Sequence, residues 1–250
     1  MRIKLIPPVP IPEDECKKIE KKYKKVLRPD TEVKMVSIGK GPVILESYYN
    51  RLLSEFFVLQ EGEKTKNEDF DALVLDCMFG PAVKPLREVL DIPVVSPLEC
   101  SIYVAALLGK KFSVLVLNNS HAEALEEKIR ESGLSHWKLA SIRSLDISLE
   151  KGQYYAYGIK EKVLSKRNIE EKILTVARKA MREDNADVIL IGCTALPTIV
   201  NLEKVHEELG IPVISPGLVT VRMAELMVDL DLKQSKKAYP TAQSLKAPKR

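Results

Sequence analysis

A repeated pattern of an apolar run ending in a cysteine constrains the fold of this chain more than any other feature. Residues 71–81 read DALVLDCMFGP and residues 187–197 read DVILIGCTALP, so aspartate, apolar run, cysteine and proline recur after 116 residues, at 71 and at 187. Further along each half, IPVVSP at 92–97 matches IPVISP at 211–216. The repetition predicts two similar lobes.

Both halves alternate short apolar runs with helical segments. The predicted strands are RIKLI, EVKMVSI, DALVL and IPVVS in the first half, and FSVLVL, WKLASIR and DVILI in the second. Strands that are apolar throughout are typical of a parallel sheet covered on both faces. The pattern predicts an α/β fold of two pseudo-symmetric flavodoxin-like lobes with parallel sheets and an active-site cleft between them.

The same alternation of strands and helices divides the chain into two lobes. Residues 1–97 plus about 211–232 are assigned to the first α/β lobe, residues 98–210 to the second, and residues 233–250 to a basic tail. The closing helix GLVTVRMAELMVDL is predicted to pack back on the first lobe, which makes that lobe discontinuous. The tail shows no apolar period, and its end is expected to be mobile.

Composition limits the classes of partner. The net charge is +4, and the lysines lie among glutamates, so no block is typical of a nucleic-acid or membrane patch. No apolar run approaches the roughly 20 residues of a membrane span. The amino end MRIKLIPPVPIPEDE reads as a first strand rather than a signal peptide. We predict a cytoplasmic protein with reduced thiols that binds a small molecule.

The cysteines and histidines show no metal-ligand spacing. There is no C-x-x-C pair, and the histidines are scattered (His121, His136 and His206), so we predict neither a metal site nor a disulfide framework. Cys16 and Cys100 are expected to be buried and inert. His121 is expected to be a solvated first-turn residue and His206 to lie among charges on a helix, neither with a catalytic role.

Cys77 and Cys193 are the candidate catalytic residues. Each follows an apolar strand, and ligands of open α/β sheets bind at the carboxyl ends of strands, so facing lobes would place two thiols in one cleft. Two thiols can invert a carbon next to a carbonyl, since one removes its proton and the other returns one to the opposite face. An ordinary thiol pKa of about 8.5, lowered by loop N–H groups and a helix dipole, would make this possible near neutrality without metal or cofactor. Either cysteine taken alone could simply be a buried packing residue. The occurrence of both at equivalent positions favours a catalytic role.

Several loops resemble one known family. Residues 41–47, GPVILES, resemble a G-P-x-S-I-E-S loop, and residues 76–81, DCMFGP, are similar to a C-F-x-D-P stretch. Residues 192–197, GCTALP, resemble a G-C-T-x-x-P motif, and AELM at 224–227 with SKKAY at 235–239 resembles a closing helix and S-K-x-x-Y tail. In this order the motifs resemble the aspartate/glutamate/hydantoin racemase superfamily, hydantoin racemase-like branch.

The resemblance implies a cofactor-independent racemase, an isomerase, in which Cys77 and Cys193 work on opposite faces of the substrate. It also implies two pseudo-symmetric lobes, a homo-oligomer, and a hydantoin, amino acid or related carbonyl compound as substrate.

Residues around the predicted cleft are candidates for substrate binding. Asn118, Asn119 and Ser120 follow a strand and precede a helix, where they can bind a carbonyl or carboxylate; N-capping is the alternative, favoured for Ser120. Thr194 can offer its N–H or hydroxyl to substrate, or cap the next helix. The remaining candidates lie in the family-like loops or beside the first thiol: Glu46, Ser47, Met78 and Phe79.

The chain departs from the family pattern at several places. Pro7 and Pro8 replace an N-P pair, Val116 and Leu117 replace hydroxyl residues, and Ile44 replaces the serine of the G-P-x-S loop. A less polar pocket follows, which indicates either a changed specificity or lost activity.

Three alternatives to a hydantoin racemase stay open. GCTALP also suits an aspartate/glutamate racemase, although Met78 and Phe79 replace the C-N-T context of that first thiol. A related decarboxylase or cis–trans isomerase with one nucleophilic cysteine is a second alternative. The third, from another class, is a non-catalytic small-molecule binding protein. A pyridoxal enzyme is disfavoured because no Schiff-base lysine setting is recognisable.

Overall fold

The first lobe is a four-stranded parallel sheet flanked by helices, in the order β2-β1-β3-β4. The computed structural model describes residues 1–134, 138–147, 154–155, 158–159 and 166–242. The elements of the first lobe are β1 (Arg2–Ile6), α1 (Glu13–Lys24), β2 (Glu32–Met35), α2 (Tyr48–Lys64), β3 (Ala72–Leu75), α3 (Val83–Val89) and β4 (Val94–Val95).

The second lobe repeats this arrangement, because its parallel sheet has the order β6-β5-β9-β10. A two-stranded antiparallel pair, β7 with β8, is added to it. The elements are α4 (Pro97–Leu108), β5 (Phe112–Val116), α5 (Asn119–Glu131), β6 (Leu139–Ser144), β7 (Tyr154–Tyr155), β8 (Gly158–Ile159), α6 (Lys166–Glu183), β9 (Val188–Ile191), α7 (Leu196–Ile199), α8 (Leu202–Leu209), β10 (Val213–Ile214) and α9 (Pro216–Asp229).

The strand order confirms the predicted pair of flavodoxin-like α/β lobes. Strands β3 and β9 occupy equivalent positions, and every residue of both is buried, as their uninterrupted apolar runs predicted. In each sheet the order reverses between the two central strands, which is where open α/β folds bind their ligands. Within the described part of the chain, no helix is long and apolar enough to cross a membrane.

Two helices tie the lobes together by packing across them. Helix α4 follows the first sheet but packs on β9, and α9 follows the second sheet but packs on β3 and β4; the two helices also pack on each other. Helix α9 therefore packs on the first sheet although it follows the second. Strand β10 (Val213–Ile214), which the sequence-based division assigned to the first lobe, pairs with β9 in the second sheet.

The repeated aspartates align neighbouring strands. Asp71, just before β3, accepts a hydrogen bond of 2.7 Å from the backbone N–H of Arg2 through Oδ2. Asp187, just before β9, accepts from the N–H groups of Lys110 at 2.8 Å and Lys111 at 2.9 Å. Each aspartate thus fixes the start of the strand next to its own, so this part of the repeat is structural.

The described part of the basic tail is docked on the first lobe. Gln234 bonds both the N–H and the C=O of Val94, at 2.9 and 3.0 Å. The ammonium group of Lys236 donates to the carbonyls of Arg87, Glu88 and Leu90 at 2.7 to 3.2 Å, which caps the carboxyl end of α3. The expected mobile end, residues 243–250, lies outside the described residues.

A Lys236→Met substitution is expected to lower the free energy of unfolding by about 1–3 kcal/mol, because carbonyls at the end of α3 lose a charged donor. The measurement is the urea midpoint followed by circular dichroism. Lys237→Met is the matched control, since the side chain of Lys237 is exposed next to it. Equal midpoints for the two variants would contradict a capping role.

Candidate active site

Two cysteines follow equivalent strands, one in each lobe. Cys77 follows β3 and Cys193 follows β9, each after a single intervening residue. The Cys77 side chain is buried and that of Cys193 is partly exposed. A backbone N–H of Phe79 stabilises the thiolate form of Cys77, and those of Ala195 and Leu196 do so for Cys193. Each thiol therefore lies over the N–H groups of the loop that follows it.

The two cysteine loops meet at the contact between the lobes. The hydroxyl of Thr194 donates a 3.1 Å hydrogen bond to the backbone carbonyl of Asp76, which joins the residue after Cys193 to the residue before Cys77. A negative charge on Cys193 raises the pKa of Cys77, so the sulfurs are near enough for their charges to interact. Thr194 therefore contacts the opposite loop rather than capping the next helix.

Burial dominates the acidity of both thiols. It raises the pKa of Cys77 to about 12, and it raises the pKa of Cys193 as well. The loop N–H groups act in the predicted direction and lower both values, but removal of the thiolate from water costs more. The prediction of a thiol pKa lowered towards neutrality is therefore wrong, and both thiols are protonated at pH 7.

A polar bridge joins the loop before α2 to the start of α5. The amide of Asn118 donates to Oε1 of Glu46 at 2.8 Å, and the hydroxyl of Ser120 donates to the Glu46 carbonyl. Oδ1 of Asn118 accepts from the N–H of His121 at 3.2 Å, so Asn118 caps α5. The expectation that Ser120 is the cap is wrong, since its hydroxyl is turned to the other lobe. Asn119 is exposed in the first turn.

Ser47 has a local structural role. Its hydroxyl accepts a 3.1 Å hydrogen bond from the N–H of Asn50 and caps α2. The carboxylate of Glu46, one residue earlier, is bonded to Asn118 of the other lobe. These two candidate binding residues therefore hold the loop and the lobe contact in place.

An aromatic layer lies beside the first thiol. Phe79 stacks on His121 with ring centroids 5.3 Å apart, and the guanidinium carbon of Arg51 lies 5.4 Å from the centre of the Phe79 ring. Burial, with the nearby charge of Arg51, lowers the pKa of His121 to about 4, so the imidazole is neutral at pH 7. The expectation of a solvated His121 is wrong. Met78 and Phe79 are both buried.

Sequence reasoning missed a buried carboxylate between the cysteine loops. Asp76 is 0 % exposed, and both its carboxylate oxygens accept from the hydroxyl of Tyr23, at 2.9 and 3.0 Å. The available signal was its position: a charged residue directly after a fully apolar strand and directly before Cys77.

The other predicted residues are placed as follows. Cys16 and Cys100 are buried, as expected, and His206 is exposed on α8. His136 lies outside the described residues. The residues that depart from the family pattern at the strand ends are all buried: Pro7, Pro8, Val116 and Leu117.

Comparison with known proteins identifies the family. A family model described as Asp/Glu/Hydantoin racemase matches residues 13–224. The chain belongs to this family. A hydantoin racemase of Pseudomonas sp. (strain NS671) is 34 % identical over 221 residues, which cover 88 % of this chain and 83 % of the relative.

Two solved structures superpose over nearly the whole chain. An allantoin racemase from Pseudomonas fluorescens has a TM-score of 0.84 at 25 % identity and covers 99 % of both chains. An allantoin racemase from Klebsiella pneumoniae has a TM-score of 0.83 at 22 % identity and covers 99 % of this chain and 97 % of its own. The resemblance drawn from the loops is therefore confirmed.

Proposed function

We propose that this protein is a cofactor-independent racemase that inverts a carbon next to a carbonyl in a hydantoin-like substrate. The observation that carries the proposal is the placement of Cys77 and Cys193 at equivalent strand ends of two lobes, with their loops in contact through Thr194 and Asp76. Family membership and relatives named hydantoin racemase and allantoin racemase support the reaction type.

In the proposed reaction, one cysteine as thiolate removes the proton from the stereocentre, and the electron pair moves onto the adjacent carbonyl. The other cysteine, as thiol, then gives its proton to the opposite face, and the two exchange roles for the reverse direction. A buried thiolate with a raised pKa is a strong base, as a weakly acidic C–H requires. The N–H groups of Phe79, Ala195 and Leu196 stabilise the sulfur that is ionised at each stage.

The charges around the thiols favour a neutral ring over a dicarboxylic amino acid. Asp76 places a buried carboxylate beside both cysteines, and Glu46 adds a second acidic side chain on the lobe bridge. Arg51 is turned to backbone carbonyls, since it donates to that of Leu45 at 3.0 Å. A second carboxylate on aspartate or glutamate would be repelled here, whereas an uncharged hydantoin would not.

Apolar neighbours of the first thiol support the same choice. Met78 and Phe79 are buried next to Cys77. Val116 and Leu117 are buried at the end of β5, the strand that pairs with β9 in the other lobe. Such a lining suits a substituted ring better than a zwitterionic amino acid.

The test is chiral chromatography after single enantiomers are incubated with the protein. The panel is 5-substituted hydantoins, allantoin, aspartate and glutamate, each beside a protein-free control for spontaneous racemisation. We expect enzymatic racemisation of a hydantoin or of allantoin, and none of the two amino acids. Racemisation of aspartate or glutamate alone would contradict the proposed substrate class. Binding of every hydantoin without turnover would instead indicate a binding protein.

A further inference from the structure

The residues just before the two cysteines break the symmetry of the lobes. Asp76 and Gly192 occupy equivalent places in the repeat, yet one carries a carboxylate and the other has no side chain. A Cβ at Gly192 would lie 2.7 Å from Cγ1 of Val116 and 3.0 Å from the carbonyl oxygen of Leu115, so no side chain fits there. The negative charge beside the thiols therefore comes from the first lobe alone.

The carboxylate of Asp76 is held in a closely packed setting. The hydroxyl of Tyr23 donates to it from α1, and the Tyr23 side chain is itself buried. A Cβ at Gly217 would lie only 2.2 Å from the hydroxyl oxygen of Tyr23, so only glycine at the start of α9 leaves room for the phenol. The backbone carbonyl of Asp76 also accepts from Thr194. Elements of both lobes thus fix the position of this charge.

The negative charge of Asp76 affects the acidity of both thiols. Asp76 raises the pKa of Cys77 and of Cys193, in each case as a smaller cause than burial. A charge on Cys193 also raises the pKa of Tyr23. Tyr23, Asp76 and the two thiols therefore form one electrostatic group. The pKa values of Cys16 and Cys100 are raised mainly by burial and, to a smaller extent, by other acidic residues.

We propose that Asp76, anchored by Tyr23, is a positioning residue whose fixed negative charge prevents the two active-site thiols from being ionised together. A two-thiol reaction needs one base and one acid, and a doubly ionised pair has no proton to return. A buried carboxylate beside both sulfurs makes the second ionisation more costly. The catalytic consequence rests on the proposed function, but the effect on the thiols does not.

The test is the rate of alkylation of each cysteine by iodoacetamide at pH 8, quantified on peptides by mass spectrometry. Asp76→Asn keeps the shape of the side chain and removes its charge. With a thiol pKa lower by roughly one unit, alkylation of Cys77 and Cys193 is expected to be about three to ten times faster. Cys16 and Cys100 serve as internal references with unchanged rates. Asp71→Asn, at the other end of the same strand, is the matched control and is expected to leave all four rates unchanged.

Tyr23→Phe is the second variant and covers the case in which Asp76→Asn does not fold. Tyr23→Phe removes the hydrogen bond that stabilises the ionised carboxylate of Asp76, so alkylation of both site cysteines is expected to accelerate by a smaller factor than in Asp76→Asn. Wild-type rates at Cys77 and Cys193 in every variant that folds would overturn the proposal.

The activity of the variants separates this proposal from the proposed function. In Asp76→Asn the alkaline limb of the kcat/KM profile is expected to move to lower pH, because double ionisation then begins earlier. If wild-type protein racemises hydantoins but the alkylation rates do not respond to Asp76, the positioning role alone fails. If no member of the substrate panel is racemised while the alkylation rates still respond, the proposed function alone fails.

Discussion

Cys77→Ser and Cys193→Ser are each expected to lower the racemisation rate by roughly 10²- to 10⁴-fold, since each removes one of two positioned acid–base groups. A serine hydroxyl fits the space of the thiol but is a far weaker acid, so it neither forms the base nor returns the proton efficiently. The measurement is the initial rate of loss of optical rotation from a single enantiomer of the best substrate.

Cys100→Ser and Cys16→Ser are the controls for this prediction. Both side chains are buried, as Cys77 is, but lie on α4 and α1, away from the contact between the cysteine loops. They are expected to retain racemisation in proportion to the protein that folds. Near wild-type rates in either Cys77→Ser or Cys193→Ser would contradict a two-thiol reaction, and loss in only one of them would favour a single nucleophilic cysteine.

Lys4→Met is expected to lower the free energy of unfolding by about 3–5 kcal/mol, because it removes one partner of a buried ion pair. Lys4 lies in β1 with its side chain 0 % exposed, and its ammonium group is 3.1 Å from Oε1 of Glu61 and 2.6 Å from Oε2 of Glu68. The variant leaves the largely buried carboxylate of Glu61 with Lys64 as its remaining ion-pair partner, at 2.6 Å. That surviving contact places the expected loss at the lower end of the range.

Urea unfolding followed by circular dichroism measures this loss. Lys34→Met is the matched control, because Lys34 is the partner of Lys4 in the register of β1 and β2 but is exposed. The control is expected to change the free energy of unfolding by less than about 0.5 kcal/mol. A Lys4 variant as stable as the control would show that the buried pair contributes nothing to the fold.

The fold could be predicted from the sequence because its main signals are local. The apolar runs of β3 and β9 are short, uninterrupted and followed by the same cysteine and proline, so strand type and the number of lobes follow from the pattern. The exchange of α4 and α9 between lobes was only partly predictable. Which sheet a helix or an edge strand packs on depends on long-range contacts. Strand β10 is an example: residues 211–232 were assigned to the first lobe from the sequence, but β10 pairs with β9 in the second sheet.

The electrostatics of the candidate site could not be predicted from the sequence. His121 looks like an ordinary first-turn residue, but it is buried and stacked on Phe79 of the other lobe, and burial with the nearby charge of Arg51 keeps it neutral. The thiol pKa was predicted in the wrong direction because local N–H groups can be read from a strand–loop–helix pattern, whereas burial comes from the whole assembly of both lobes. The pairing of Tyr23 with Asp76 was missed for the same reason.

Deuterium incorporation tests most directly whether two sulfurs act on opposite faces of one stereocentre. Each pure enantiomer of the best substrate is incubated with the protein in D2O. At low conversion the two enantiomers are separated and the deuterium content of each is measured by mass spectrometry, with protein-free exchange subtracted. We predict solvent deuterium in the newly formed enantiomer and protium in the unconverted one, from either starting enantiomer. If deuterium enters the unconverted enantiomer as fast as it enters the product, a single group exchanges protons on both faces of the stereocentre. That result would contradict the two-thiol account.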